Sequence, residues 1–99
     1  MRIVARSTLR SFWENPTYAD SEGPLKAWYA EAERAKWTSP TEIKQQYSTA
    51  SVLKDGRVVF NIAGIKYRLV VHIHYASGLV YIRFIGTHKE YDSIDAQKI

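Results

Sequence analysis

The fold is decided by residues 57–85, which read RVVFNIAGIKYRLVVHIHYASGLVYIRFI. Three runs of mainly apolar and β-branched residues are separated by breaks at Gly64 and Gly78. Apolar and polar side chains largely alternate within these runs, which is the period of a half-buried strand. Short breaks between such runs predict consecutive antiparallel strands. The predicted strands are residues 57–63, 65–75 and 79–85.

The alternation also predicts what each face of this sheet carries. The residues from Tyr67 to Ile73 that share one side are apolar and should pack on helices. In the last strand Phe84 is predicted on this apolar face and Ile85 on the opposite one. The opposite face, called the open face below, carries polar side chains without a carboxylate. Its predicted polar members are Arg57, Asn61, Lys66, Arg68, His72, Tyr81 and Arg83.

Outside this stretch the chain divides into a helical and an extended half. Leu25, Trp28 and Ala32 recur at the spacing of one helix face, which predicts a buried helical stripe. Asp55-Gly56 predicts a hairpin turn, because both residues tolerate positive φ. We therefore expect one α+β domain over residues 1–99. Its N-terminal helices should pack on one face of a three- to four-stranded antiparallel sheet, with the N-terminal residues available as an added edge strand.

Composition narrows the possible functions. The chain has no cysteine, which excludes disulfides, thiolate metal sites and a cysteine nucleophile. It has no P-loop, dinucleotide-binding or metalloprotease motif, and His72 and His74 have no nearby carboxylate to complete a metal site. We therefore expect no metal and no cofactor. The sequence has neither a signal peptide nor an apolar run of membrane-spanning length, so a cytoplasmic location is expected.

The charge pattern favours nucleic acid as the partner. The formal net charge is +4, and basic proteins are predisposed to bind polyanions. An open face with arginine, histidine and tyrosine can bind a single RNA strand, through phosphate neutralisation and stacking. The alternative is a solvated face that only keeps an antiparallel sheet soluble. The uniform sign of the charges favours RNA, since a solvated face usually mixes both signs.

Histidine chemistry is available next to this face. RNA cleavage without a metal needs a base for the 2′-hydroxyl proton, an acid for the leaving oxygen and cations around the phosphate. His88 follows the last predicted strand and can serve as acid or base near neutral pH. It can equally be an ordinary loop histidine, and His72 and His74 can be ordinary surface or partly buried residues of the sheet.

Several segments, in their order along the chain, resemble the HigB family of toxins. The most specific is GTHKEYD at residues 86–92, followed by FNI at 60–62 and YRLV at 67–70. MRIVA at 1–5 and LRSFWE at 9–14 also fit. Each segment alone is a weak signal, whereas the set in this order is specific.

The resemblance implies a fold, an activity and a partner. The fold is RelE-like, with helices on one side of an antiparallel sheet and the catalytic surface on the other. The activity is that of an mRNA interferase, a metal-independent endoribonuclease that cleaves mRNA during translation in the ribosomal A site. The implied partner is a HigA-like helix-turn-helix antitoxin, which neutralises the toxin in a hetero-oligomer.

The resemblance also implies roles for particular residues. RelE-like enzymes place an arginine in a Tyr-Arg-Leu-Val strand, which corresponds to Arg68. A basic residue after the final strand corresponds to His88 or Lys89, and a tyrosine near the C-terminus to Tyr91. The expected catalytic set is Arg68 and Arg83 on the phosphate, His88 as acid or base, and Tyr91 as a stacking or orienting group. The expected RNA contacts are Asn61, Lys66, His72 and Lys89.

Two other functions fit the same pattern. A ParE-like toxin would use this fold to inhibit gyrase, without cutting RNA and without needing His88. A simple RNA-binding module would bind RNA with a steep salt dependence and would not arrest growth. The sequence departs from RelE itself in having fewer lysines on the helices and a histidine near its end, which leaves the general base open.

Overall fold

The computed structural model describes residues 1–99 as four α-helices, five strands and two short 3-10 turns. The first half of the chain is mainly helical and the second half mainly extended, as predicted. The elements are β1 (Arg2–Val4), α1 (Arg6–Glu14), a 3-10 turn (Pro16–Ser21), α2 (Glu22–Arg34), α3 (Pro40–Gln46), β2 (Ser51–Val52), a second 3-10 turn (Lys54–Gly56), β3 (Arg57–Ile62), β4 (Tyr67–His74), β5 (Leu79–Thr87) and α4 (His88–Asp92).

The five strands form one sheet in the order β1-β5-β4-β3-β2. The α+β fold with helices and a RelE-like sheet is confirmed, with two corrections. The sheet has five strands instead of three or four, and β1 runs parallel to β5, with Ile3 opposite Val80. Short turns force the meander to be antiparallel, but β1 reaches the sheet through three helices, so its direction is not set by a turn. None of the helices combines the length and the apolar character that crossing a bilayer requires.

The core lies between the inner face of the sheet and the helices. Phe60 on β3, which is 1% exposed, contacts three other aromatic side chains in this core. The Phe60 ring centroid is 5.4 Å from that of Trp28, 6.2 Å from that of Trp37 and 5.0 Å from that of Tyr47. These partners belong to α2, to the segment before α3 and to the segment after it. Phe60 therefore joins the helical half of the chain to the sheet.

The turn before β3 has the predicted conformation. Asp55 has φ +58° and Gly56 has φ +78°. A Cβ on Gly56 would lie 2.5 Å from the carbonyl oxygen of Ile73. Glycine is therefore required here both for its φ and for the close approach of β4.

The last strand contains a bulge that the alternation did not predict. Val70 of β4 lies opposite Phe84, whereas Val71 lies opposite Ile82, so Arg83 is an extra residue in β5. An inserted residue reverses the side-chain alternation that follows it. Beyond the bulge Phe84 therefore lies on the open face, and Ile85 pairs with the core residue Leu69. The predictions for Phe84 and Ile85 were wrong for this reason.

The C-terminal segment, residues 93–99, covers the centre of the open face. Ala96 is buried against Val59 and Val70, in a small apolar cluster separate from the main core. The Arg57 Nε–H donates a hydrogen bond of 2.8 Å to the Ile99 carbonyl oxygen. The face predicted to be open and polar is therefore divided by a covered apolar strip.

Replacement of the central core ring should be strongly destabilising. We expect Phe60→Ala to lower the free energy of unfolding by about 3–5 kcal/mol, because the side chain is buried and contacts three aromatic rings. Val52→Ala, at a position 40% exposed, is the control and should change it by less than about 0.5 kcal/mol. Urea unfolding of both variants measures the two values. Similar losses in both would contradict this description of the core.

Candidate nucleic-acid interface

One end of the open face is built around Arg68. Asn61 on β3 lies directly opposite Arg68 on β4, and its side-chain oxygen accepts a hydrogen bond from Nη1 of Arg68. The guanidinium carbon lies 5.8 Å from the centroid of the Tyr91 ring. Arginine has five N–H donors, and the bond to Asn61 uses one of them. This Arg68 cluster, defined as Arg68, Asn61 and Tyr91, holds a cation whose other donors remain available to a phosphate.

The start of α4 places Tyr91 over Arg68. The Thr87 hydroxyl accepts a hydrogen bond of 3.1 Å from the Glu90 backbone N–H, and the Glu90 carboxylate accepts one of 2.8 Å from the Thr87 backbone N–H. This capping box begins α4 directly at the end of β5. The sequence contains its signature, Thr-x-x-Glu at residues 87–90, but the sequence analysis did not use it.

Gly86 allows α4 to approach the sheet closely. It lies opposite Arg68, and a Cβ there would be 2.6 Å from Cζ of Phe84 and 3.1 Å from Oε1 of Glu90. A side chain at this position would therefore displace the Phe84 ring or the capping carboxylate. Side-chain alternation along the sequence does not reveal this role of Gly86, because the role depends on the bulge that turns Phe84 to the same face.

His88 is the first residue of α4 and is exposed. Its Nδ1 lies 3.3 Å from a carboxylate oxygen of Asp92. Residues three apart are neighbours on a helix surface, so His88 is next to Tyr91 on α4. A proton on Nδ1 can be held by Asp92, which leaves Nε2 free to exchange a proton with a ligand. Asp92 is a further candidate that the sequence analysis did not assign.

The other end of the open face carries a histidine cluster, made of Arg57, His72, His74, Tyr81 and Arg83. The ring centroids of His72 and His74 are 4.8 Å apart, and those of His74 and Tyr81 are 5.3 Å apart with edge-to-face geometry. Burial lowers the pKa of His72, and the positive charges of Arg57, His74 and Arg83 lower it further. This end therefore combines cations, imidazoles and a phenol ring.

Lys66 does not lie on the open face, which corrects the prediction. It precedes β4, and its ammonium group pairs with the Asp20 carboxylate in the 3-10 turn Pro16–Ser21. The hydrogen bond to Asp20 raises the pKa of Lys66. The Tyr67 hydroxyl donates a second hydrogen bond, of 2.5 Å, to the same carboxylate. The alternation was extended one residue too far, because the strand begins at Tyr67. Lys66 instead connects the turn between β3 and β4 to the 3-10 turn between α1 and α2.

The remaining predicted residues occupy distinct positions. Arg68, Asn61 and Tyr91 come together, with His88 and the exposed Lys89 on the adjoining helix. His72 and Arg83 belong to the histidine cluster at the other end. The structure therefore gives two polar ends separated by the covered apolar strip, where the sequence analysis predicted one continuous surface.

The two pockets of the molecule lie elsewhere. Both adjoin Lys36 and Trp37, and neither includes a residue of the Arg68 cluster or the histidine cluster. A single RNA strand binds to cationic grooves and exposed aromatic rings and does not need an enclosed pocket. The open face is therefore the better candidate, because it combines cations with aromatic rings.

The α+β fold and the sheet face with cationic, imidazole and phenol groups agree with a RelE-like toxin. Residues 21–94 match the family model HigB_toxin, described as the RelE-like toxic component of a toxin–antitoxin system. The chain belongs to the HigB toxin family. The match runs from the start of α2 through α4 and leaves out β1 and α1, although both were among the resembling segments. No curated protein matches the chain.

The His72 environment predicts a pH dependence of stability. Because the folded-state pKa of His72 is below the usual 6.5, its contribution is present above that pH and is lost as the pH falls through the folded pKa. We expect the urea midpoint to fall between about pH 7 and about pH 5, and to fall less in His72→Gln. The lowered pKa values of Asp20 and Glu42 act only in more acidic solution. Equal losses in wild type and variant would contradict this prediction.

The capping box should control the order of α4. We expect Thr87→Val to destabilise the start of α4 by about 1 kcal/mol, because it removes the hydroxyl that accepts the Glu90 N–H. Amide hydrogen exchange measured by NMR should accelerate across His88–Asp92 while exchange in β4 stays unchanged. Unchanged protection of α4 would show that packing of Tyr91 alone fixes this helix.

Proposed function

We propose that this protein is an mRNA interferase, a metal-independent endoribonuclease that cleaves translated mRNA on the ribosome. Membership of the HigB family supports this proposal. The observation that carries it is Arg68, which is fixed between Asn61 and Tyr91 on the sheet side opposite α1 and α2, with His88 on the adjoining helix. These groups supply the cation and the imidazole that RNA cleavage requires.

In the proposed reaction, the 2′-hydroxyl of one nucleotide attacks the phosphorus of its own 3′-phosphate. The bond to the next 5′-oxygen breaks, which gives a 2′,3′-cyclic phosphate and a free 5′-hydroxyl. His88, oriented by Asp92, exchanges one of the two protons involved, and water exchanges the other. Its position at the end of the cluster permits it to act as base toward the 2′-hydroxyl or as acid toward the leaving oxygen.

Arg68 is proposed to stabilise the negative charge that grows on the phosphate. A guanidinium stays charged at all physiological pH values and presents donors in a planar fork that matches two phosphate oxygens. Asn61 limits its movement, and the Tyr91 ring gives a surface for cation–π contact or for stacking of a base. Arg83 and Lys89 are proposed as further phosphate contacts, since both are exposed.

We further propose that a HigA-like helix-turn-helix antitoxin neutralises the activity in a toxin–antitoxin hetero-oligomer. The family assignment to a toxin–antitoxin system supports the existence of an antitoxin partner. Cleavage on translating ribosomes places the site of action in the cytoplasm. An antitoxin that covers the Arg68 cluster would block access of mRNA.

Substitution at Arg68 is the direct test. We expect Arg68→Ala to reduce mRNA cleavage about 100- to 1000-fold, the usual effect of removing one preorganised donor at a developing charge. Arg68→Lys should recover only part of the activity, because an ammonium group lacks the planar fork. Mapping of mRNA 5′ ends after brief expression measures cleavage, and growth of the cells measures toxicity. Arg34→Ala on α2 is the control, since this exposed arginine lies outside both polar clusters.

Two results would overturn the proposal. A folded Arg68→Ala protein that cuts mRNA at the wild-type rate would exclude the assigned site. Growth arrest by the wild type with intact mRNA would exclude the nuclease and favour the ParE-like mechanism. In that second case His88→Ala should remain toxic, because gyrase inhibition needs no proton transfer.

A further inference from the structure

Apart from Arg83, which is proposed above as a phosphate contact, the histidine cluster has no role in the reaction described. It lies at the far end of the open face, where β4 and β5 approach the turn between them. Imidazole and phenol rings are in contact there, and arginine side chains approach from both neighbouring strands. No group of three potential ligands is available to hold a metal ion. The chemistry of this end therefore fits an anion with an aromatic portion better than it fits a cation.

We propose that the histidine cluster is a second RNA subsite, which binds a nucleotide a short distance along the same strand that the Arg68 cluster cleaves. His74 and Tyr81 would stack on its base, and Arg57, Arg83 and His72 would contact the adjoining phosphates. This inference rests on the proposed function, because it assigns a further part of the same RNA strand.

The separation of the two clusters suits a few nucleotides. Arg68 and His74 are six positions apart on β4, which corresponds to about 20 Å at the rise of an antiparallel strand. Both residues lie on the open face, since they are an even number of positions apart in the uninterrupted strand β4. A short single strand can therefore reach both clusters without leaving the sheet.

The bulge places a cation between the clusters. Ala96 of the C-terminal segment is buried against Val59 and Val70, and the half-buried Phe84 on β5 packs against the same residues. Arg83 lies on β5 between Gly86, which is opposite Arg68, and Tyr81, which is opposite His72. Because Arg83 is exposed, a phosphate chain following β5 would meet a cation halfway. A strand that spans both clusters would therefore pass beside Phe84 and contact Arg83.

Protonation of His72 would strengthen this subsite. The groups that face it are the backbone carbonyl of Asp55 in the preceding turn, Arg57 on β3, His74 on its own strand, and Tyr81 and Arg83 on β5. Burial and the neighbouring cations lower the pKa of the free imidazole. A bound phosphate would offset those positive charges and favour the imidazolium, so binding should tighten as the pH falls.

The test measures binding of a fluorescein-labelled 2′-O-methyl RNA octanucleotide to the full chain. This probe lacks the attacking hydroxyl and stays intact. We expect the double variant His74→Ala/Tyr81→Ala to bind about tenfold more weakly, the loss that removal of one stacking contact produces. Arg83→Ala, at an exposed position, should make the fall of log affinity with log salt shallower, by about 0.7 in slope. Arg34→Ala should bind like the wild type.

The pH arm isolates His72. We expect wild-type affinity to rise between about pH 7.5 and about pH 5.5, and His72→Gln to show a smaller rise. Circular dichroism and thermal melting confirm that each variant is folded, and Arg83→Ala keeps the test decisive if the double variant does not fold.

The outcomes separate this inference from the proposed nuclease. Wild-type affinity for the octanucleotide in both the double variant and Arg83→Ala would overturn the subsite, even if the wild type cuts mRNA in cells. Variants that weaken only antitoxin binding would also overturn it and would assign the cluster to the protein partner. Absence of mRNA cleavage by the wild type would instead overturn the nuclease, whatever the oligonucleotide shows.

Discussion

The register of β4 between its two neighbours is the constraint on which the rest of the structure depends. Leu69 and Val71 are paired with Phe60 and Val58 on one side and with Ile85 and Ile82 on the other, and all the β3 and β4 members of this set are buried. A slip of one residue would turn these side chains to the opposite face and remove the surface on which the helices pack. The same register fixes Arg68 opposite Asn61. Core formation and site formation are therefore one event, because neither pairing can change without the other.

The bulge at Arg83 completes the apolar strip that divides the open face. Upstream of it, β5 contributes Tyr81 to the open face, and downstream it contributes Phe84 in place of a second polar residue. Phe84 then packs with Val70 and Tyr91, and the C-terminal segment closes over this strip. Bulges commonly re-aim side chains beside functional sites. Here the additional residue adds Phe84 to the apolar strip of Val59 and Val70, which separates the two polar clusters.

Much of the fold could be predicted from the sequence, and the reasons are local. The strand period of residues 67–74 and the positive φ required at Asp55-Gly56 depend on near neighbours only, and both are present in the structure. The position of Arg83 as a bulge depends on how β4 and β5 pair, which alternation within one strand does not contain. Lys66 was misplaced because its partner, Asp20, is 46 residues away. The direction of β1 and the cover over Val59 and Val70 are likewise set by distant contacts. The Thr87–Glu90 capping box is different, since its signal was local and was overlooked.

The contacts of Arg68 have a thermodynamic consequence for any ligand of this face. A free arginine side chain explores many rotamers, and confining it costs up to about 2 kcal/mol of entropy. Asn61 and the Tyr91 ring already confine this one before a ligand arrives. The entropy cost of confining Arg68 therefore belongs to folding and not to binding. An incoming anion meets donors that are already oriented. For the proposed phosphodiester ligand, the affinity would therefore gain from how firmly Arg68 is held before binding.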